Sequence, residues 1–346
     1  MRILFDTHQL NALNVFRGSG VYADNLLSAL RGVPEVEILH PGDRGDADLV
    51  HYPFFDIFFH TLPLIKKLPT VVTIHDVIPL AFPAQYPAGI KGMARFLLQL
   101  SSLQSVKAVI TDSECSKRDI AKYLGYPIEH IYVAYLAANP LLERPSPGEL
   151  KEIVEKYKLP KHYILYVGDI NYNKNLPRFI HAASKLPKDV QVVMVGKALM
   201  NTDIPEGKAL HTAISKSGIG ERVHLITNVP REPTVDMSAI MSMAACYVQP
   251  SLYEGFGLPV LDAMKLGVPV ASSNTSSLPE VGGTAAAYFT PNNEEEITSV
   301  IHNVLSMPNS ERQAVVRRGL AQSRSFSWAK TAEQTAVVYK KVLERS

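Results

Sequence analysis

The chain has little cysteine. Only Cys115 and Cys246 occur in its 346 residues, one in each half, so neither a disulfide framework nor a zinc-binding spacing can be built. A reducing compartment is the natural setting for such a chain. Dense runs of lysine or arginine are also missing, and a formal net charge of +2 argues against a dedicated nucleic-acid binder. No uninterrupted apolar run is long enough to span a bilayer; residues 54–60 are greasy but short and broken by Asp56. The opening Met1-Arg-Ile-Leu-Phe-Asp6 reads as a short strand ending on an acid, not as a signal peptide. These absences leave a cytoplasmic globular protein, with peripheral contact at the inner face of a membrane left open. There is no repeat at solenoid spacing and no low-complexity tract.

What is present is ordinary for such a protein: 46% hydrophobic and 20% charged residues, and a length that suits about two domains. Short apolar runs recur at 3–5, 36–39, 49–52, 70–74, 108–110 and 131–134, then at 163–167, 190–195, 223–226, 246–248, 268–271 and 286–289. Helical periodicity fills the intervals. Strands alternating with helices predict parallel sheets covered on both faces. The series runs twice, so the expected fold is α/β, with two doubly wound Rossmann-like domains facing a central cleft. Pro140, Pro145, Pro147 and Pro160 surround a polar helix at 149–157, which puts a linker between 138 and 160. The expected division is 1–150, 151–327, and a last helix from 328 onward.

The most informative stretch is Ser251-Leu-Tyr-Glu254-Gly-Phe-Gly-Leu-Pro259-Val-Leu-Asp262-Ala-Met-Lys-Leu-Gly267, which follows an apolar run. Glu254 sits in a glycine-bracketed loop. Pro259 suits the first turn of a helix and Gly267 its C-terminal cap, so Asp262 lies about one turn inside. The positive end of that helix points at the same loop and offers an anion site. Two hydroxyl acceptors beside a phosphate site fit a sugar nucleotide. A helix-capping loop whose acids face solvent is the plainer reading.

This segment resembles the signature of the retaining glycosyltransferases of family 4, which have the two-domain GT-B fold. Their pattern is Glu, seven residues and a second Glu, within E-G-F-G-L-P; here the second acid is Asp262. By that resemblance, Glu254 holds hydroxyls of the transferred sugar and Asp262 the nucleotide ribose, while Gly255, Phe256, Gly257 and Leu258 line the donor. Val167-Gly168-Asp-Ile-Asn-Tyr-Asn173-Lys174-Asn175 matches the family's diphosphate grip, with Lys174 on its lysine. The arginine many members carry after the glycine is replaced by Asp169, so Asn173, Arg178 or backbone amides would assist. Gly18-Ser19-Gly20 opens a helix reaching about residue 30 and matches the loop that lies on the donor phosphates, although a simple turn explains it equally. Thr73-Ile-His75-Asp76 matches a T-I-H-D whose histidine approaches the sugar; Asp76 would position His75 or contact the acceptor. Ser113 or Ser116 reads as a helix N-cap. The chain around Val229 would meet the base through its backbone. The polar turn at 272–280 is explained by capping alone. Phe326-Ser-Trp328 resembles the opening of the family's last helix, which would pack on the first domain through Ala332, Ala336, Val338, Tyr339 and Val342.

The resemblance implies a nucleotide-diphospho-sugar donor, a glycan or lipid-linked acceptor, retention at the anomeric carbon, no metal ligand set and no cofactor. Lys174, Glu254 and His75 would carry the chemistry. A sugar-nucleotide 2-epimerase of the same fold and a non-catalytic nucleotide-sugar-binding protein are the alternatives. For the acceptor, the places to look are 54–59 and 83–100. The second has Lys91 and Arg95 beside Ile90, Met93, Phe96, Leu97 and Leu100, a pattern that serves either as a core face or as a lipid-surface helix.

Overall fold

The structure is a computed structural model, and it describes residues 1–8, 18–39, 45–230 and 234–345. Among these residues the chain first forms β1 (Arg2–Phe5), α1 (Gly18–Leu30), β2 (Glu37–Leu39), β3 (Leu49–Tyr52), β4 (Thr70–Thr73), α2 (Ile78–Ala81), α3 (Gly89–Leu103), β5 (Ala108–Thr111), α4 (Glu114–Leu124) and β6 (Ile131–Val133). There follow α5 (Pro147–Tyr157), β7 (Tyr163–Val167), α6 (Leu176–Ser184), β8 (Gln191–Val195), α7 (Pro205–Lys216), β9 (Val223–Ile226), α8 (Val235–Ser242) and β10 (Cys246–Gln249). The chain ends with α9 (Leu258–Lys265), β11 (Val270–Ser273), α10 (Leu278–Gly282), β12 (Ala286–Phe289), α11 (Glu294–Ser306), α12 (Asn309–Ser325) and α13 (Trp328–Leu343).

The chain divides into two units, Met1–Leu136 with Phe326–Ser346, and Ala137–Ser325. Each carries a six-stranded sheet, ordered β2-β1-β3-β4-β5-β6 and β12-β11-β10-β7-β8-β9. The strands pair in parallel, and β3, β4, β5, β10 and β11 are buried along their whole length. That burial on both faces is why they read as short, largely apolar runs without alternation. In the second sheet the order reverses direction between β7 and β10, so the carboxyl ends of these two strands form a topological switch point, where α/β sheets bind ligands.

The division falls at Leu136, not at 150. The segment after it is held by the second unit: Asn139 N–H donates to Asp262 Oδ1 at 2.8 Å, and Lys265 Nζ donates to the Asn139 and Pro140 carbonyls at 2.8 and 2.9 Å. Helix α5 then starts with a capping box between Ser146 and Glu149, with Pro147 at its first position.

Within the first unit, α13 buries Ala332, Ala336, Val338, Tyr339 and Val342. Burying each valine contributes about 1.5–3 kcal/mol. Its Thr331 hydroxyl donates to the Tyr135 carbonyl at 2.6 Å. Tyr339 Oη meets His51 Nδ1 at 2.6 Å, His51 Nε2 meets Thr73 Oγ1 at 2.8 Å, and Thr73 Oγ1 meets Tyr22 Oη at 2.8 Å. Burial holds the His51 pKa down at about 3, so this buried imidazole is neutral.

Helix α3 combines the two roles its sequence allowed. Phe96 and Leu100 pack against the core, whereas Ile90, Met93 and Leu97 are 93%, 50% and 59% exposed. Among the described residues no helix is long and apolar enough to cross a membrane.

Candidate active site

The switch point is built from two chain segments. After β7, Gly168 turns the chain with Tyr166 packed so closely that a Cβ at Gly168 would lie 2.6 Å from the phenol oxygen. A short 3₁₀ turn at Tyr172–Lys174 follows. After β10, residues 250–257 form a loop leading into α9. Asn173 joins the two: its Nδ2 donates to the Tyr253 carbonyl at 2.9 Å, and its own carbonyl accepts from Leu252 N–H at 2.7 Å.

Glu254 lies at the heart of this loop and is 7% exposed. Lys174 Nζ donates to both of its carboxylate oxygens, at 2.8 and 2.9 Å. Glu254 Oε1 also accepts from Gln249 Nε2 at 2.8 Å and from Ser251 Oγ at 2.6 Å. The Tyr247 hydroxyl donates to Gln249 Oε1, which turns the amide nitrogen toward Glu254. Burial first, then the Glu254 charge, holds Tyr247 well above the usual tyrosine pKa, so it stays a donor.

The turn after β11 completes the support. Ser276 Oγ accepts from Glu254 N–H at 2.9 Å, and Ser277 Oγ donates to the Glu254 and Phe256 carbonyls at 2.9 and 2.8 Å. The serines that sequence attributes to capping therefore hold the backbone on both sides of Glu254. Gly257, at φ 108°, has the left-handed backbone that sends Leu258 and Pro259 into the first turn of α9. A Cβ there would stand 2.8 Å from Leu278 Cδ2. Gly255, Phe256, Gly257 and Leu258 thus form the rim between Glu254 and the positive end of α9.

Asp262 sits one turn into α9 and is half-buried, with Oδ1 on Asn139 N–H. Burial raises its pKa from 3.8 to about 6, against the pull of Asn139 N–H and the Lys265 charge. Val229 follows the end of β9, in a segment without regular structure. Arg178 donates to Asn175 and Asn292 at 2.8 and 3.1 Å.

In the first unit, Gly18 and Gly20 belong to the first turn of α1 itself, not to a preceding loop. Serine 113 is the cap of α4, accepting from Ser116 N–H at 3.0 Å. His75 follows β4, and its Nδ1 stands 2.7 Å from Asp112 Oδ2. Asp76, expected to position His75 or contact the acceptor, accepts from Ile78 N–H at 2.9 Å, and its charge adds to the raised pKa of His75. The His75 and Tyr22 rings meet in a T-shaped contact at a centroid distance of 4.7 Å and an interplanar angle of 86°. Sequence reasoning overlooked Asp112, Gln249, Ser251, Ser276 and Ser277 as members of these sites. Among the described residues no group of three His, Cys, Asp or Glu side chains is placed to hold a metal ion.

Two parallel Rossmann-like units, the second with a lysine–glutamate pair at its switch point, define a GT-B glycosyltransferase fold. Residues 150–319 match the family described as glycosyl transferases group 1, and residues 42–140 match glycosyltransferase family 4. The chain is 33% identical to the O-antigen chain mannosyltransferase B of Escherichia coli over 91% of its own length and 82% of that protein. It is 28% identical to the serotype-specific mannosyltransferase WbdA of Escherichia coli over 80% of its length, spanning 34% of that protein. The fold matches that of Anabaena HepE in complex with UDP and glucose at a TM-score of 0.75, with 17% identity, covering 99% of this chain and 100% of HepE. The chain belongs to the group 1, family 4 glycosyltransferases, and is an enzyme that joins a sugar donor to an acceptor.

Proposed function

We propose that the enzyme moves a hexose, of mannose or glucose type, from a nucleotide-diphospho-sugar to a hydroxyl of a glycan or lipid-linked sugar, with retention at the anomeric carbon. The observation that carries this reading is the Lys174–Glu254 pair at the β7/β10 switch point. Donor binding replaces the pair's mutual contact. Lys174 turns its ammonium to the diphosphate, and Glu254, still oriented by Gln249 and Ser251, accepts hydroxyls of the sugar. The positive end of α9 adds to the charge stabilisation of the leaving group. Asn173 and Gly168 keep the lysine turn against the sugar loop, and Asp262 is the ribose acceptor. In the transfer the bond from anomeric carbon to phosphate oxygen breaks, the acceptor oxygen takes that carbon, and the acceptor proton leaves on the departing diphosphate. His75, held by Asp112, orients the sugar. The relation to mannosyltransferases favours mannose.

For the acceptor, the exposed face of α3 supports contact with an anionic lipid surface. Phe59 and Ile65 extend the exposed apolar area at 59% and 83% exposure, and the Arg95 guanidinium lies 5.2 Å over the Phe59 ring. Between residues 57 and 103 the only acid is Asp76, against Lys66, Lys67, Lys91 and Arg95. Cations flanking an apolar helix face favour anionic headgroups.

A thermal-shift panel of UDP-, GDP- and ADP-sugars, followed by proton NMR of the product, tests the reading. The expected result is stabilisation by one nucleotide class and an axial anomeric linkage matching the donor's. Stabilisation by none of them, or an inverted product, overturns it.

A further inference from the structure

A cavity of about 620 Å³ lies in the first unit where β5 and β6 begin, the end of the sheet opposite His75 and Asp112. Leu100, Leu103, Val106, Leu124 and Val342 give it an apolar floor, and Lys107, His130, Lys341 and Arg345 give it a cationic rim. Among the described residues no acid lines it. Rings of the cavity wall hold two of the cations. Lys341 Nζ stands 5.0 Å over the Tyr132 ring, and Arg345 Nη1 lies 3.3 Å from His130 Nδ1. An imidazole whose Nδ1 accepts from arginine carries its proton on Nε2, which adds a donor.

Basic residues at the end of α13 complement its dipole, and that alone would explain Lys341. It does not explain Lys107, which comes from the start of β5, nor an apolar floor beneath the charges. The exposed stripe of α3 leads to the same place. Ile90, Met93, Leu97, Leu100 and Gln104 recur at helical spacing, and the last two are in the cavity wall. An apolar track thus ends among cations.

We propose that this cavity is a second ligand site, taking the phosphate of an alkyl phosphate ester among Lys107, Lys341 and Arg345 and its chain along Leu100 and Leu103. Its volume lies in the range of about 300–1,000 Å³ usual for small-molecule sites. The site needs no bilayer and does not rest on the lipid-surface contact of α3.

The test is calorimetric titration of the full chain with dodecyl phosphate below its micellar concentration, with inorganic phosphate and dodecyl maltoside as controls. The expected outcome is saturable binding of dodecyl phosphate and none of either control at the same concentration. Lys341→Glu/Arg345→Glu is expected to weaken binding at least tenfold. Gln104→Trp, which fills the mouth without changing charge, should do the same and decides the matter if the first variant does not fold. Lys91→Glu/Arg95→Glu should bind as the wild type does. Dihexanoyl phosphatidylglycerol separates the sources: binding as tight as that of the monoester identifies a bilayer phospholipid, and a preference for the monoester identifies a lipid-linked phosphate. Equal binding of inorganic phosphate, or wild-type affinity in either folded cavity variant, overturns the proposal.

Discussion

His75 and Asp112 are partners through strand register, not through sequence neighbourhood. Thr73 lies opposite Ile110 in the β4–β5 pairing, so two steps further along, the chain brings His75 beside Asp112, with Nδ1 donating to Oδ2 at 2.7 Å. Burial pulls the imidazole pKa down, but the Asp112 charge and hydrogen bond, with smaller help from Asp76 and the Pro53 carbonyl, hold it above the usual value. Burial raises the Asp112 carboxyl as well, against the pull of His75; the two rises describe one proton held by the pair. Nε2, the nitrogen left over, is shielded from water and makes no well-formed hydrogen bond among the described residues.

Asp112→Asn should therefore change how His75 titrates. With the carboxylate gone, burial dominates and the imidazole pKa falls, so the histidine-dependent limb of the kcat/KM profile moves to lower pH. A folded imidazole with a raised pKa contributes stability that is fully present below 6.5 and lost as pH rises through the folded value. That pH-dependent part should vanish in the variant. The buried hydrogen bond itself is worth about 1–3 kcal/mol. A profile that keeps its wild-type position would mean that Asp112 does not set the protonation of His75.

Lys174→Ala should damage two things at once. In the proposed transfer the lysine meets the leaving diphosphate, so its loss should cost about 2–4 kcal/mol of transition-state stabilisation, comparable to one oxyanion donor. It also leaves the Glu254 carboxylate with neutral donors only. Breaking a fully buried pair costs about 3–5 kcal/mol, and the 18% exposure of Lys174 puts this one lower, at about 1–3 kcal/mol. Lys174→Met/Glu254→Gln should regain most of the stability and none of the activity. Urea midpoints across the double-mutant cycle measure the coupling; additive stabilities would show that the pair is not a unit.

Much of this site was legible in sequence because local geometry writes it there. Glycine at 257 and proline at 259 announce a loop entering a helix, and burial of both sheet faces writes the strands as apolar runs. Asp112 was not legible, because its role needs the β4–β5 register. Gln249 reaches Glu254 from the end of β10, and Ser251, Ser276 and Ser277 reach it from loop and turn positions whose polarity is explained locally. The boundary was misplaced because prolines mark where a linker is irregular, not which unit binds it; Asp262 and Lys265 settle that for Asn139.

Tyr339→Phe should loosen α13. It removes the hydroxyl that meets His51 Nδ1, leaving a buried nitrogen unpaired at a cost of about 1–3 kcal/mol. His51 has a folded pKa of about 3 against 6.5 unfolded, so its neutral form contributes stability above pH 6.5 that is lost as pH falls toward 3. Thermal denaturation of the variant at pH 7.5 and 5 should show a deficit at both. An unchanged melting temperature would contradict the network.

Asp262→Asn should give a pH signature of opposite sign. A carboxyl raised to about 6 by burial binds its proton more tightly folded than unfolded, so wild-type stability from this group declines as pH rises from about 4 to about 6. Asparagine can still accept Asn139 N–H and carries no buried charge. The variant should be more stable than wild type at pH 7.5, by about 1–3 kcal/mol for a half-buried group shifted this far, and the difference should close near pH 4. Affinity for the free nucleoside diphosphate should fall in the same variant at pH 7.5, since asparagine offers ribose hydroxyls one acceptor in place of two. Unchanged nucleotide affinity would remove Asp262 from the ribose.

Liposome flotation decides the role of the outer face of α3. Ile90, Met93 and Leu97 expose an apolar stripe, while Lys91 and Arg95 lie beside it without a neighbouring acid on the helix. Each cation near an anionic surface contributes about 1 kcal/mol, so reversing two of them should cost at least as much as losing both. Wild-type protein should float with vesicles containing phosphatidylglycerol and not with neutral ones, and Lys91→Glu/Arg95→Glu should stay at the bottom of the gradient. The attraction should weaken with added salt as screening shortens its range. Transfer to a water-soluble acceptor should be unaffected by the double change, because in this reading both cations serve the lipid surface alone. Binding to no vesicle composition would assign the acceptor to soluble glycans and leave the stripe as an ordinary exposed face.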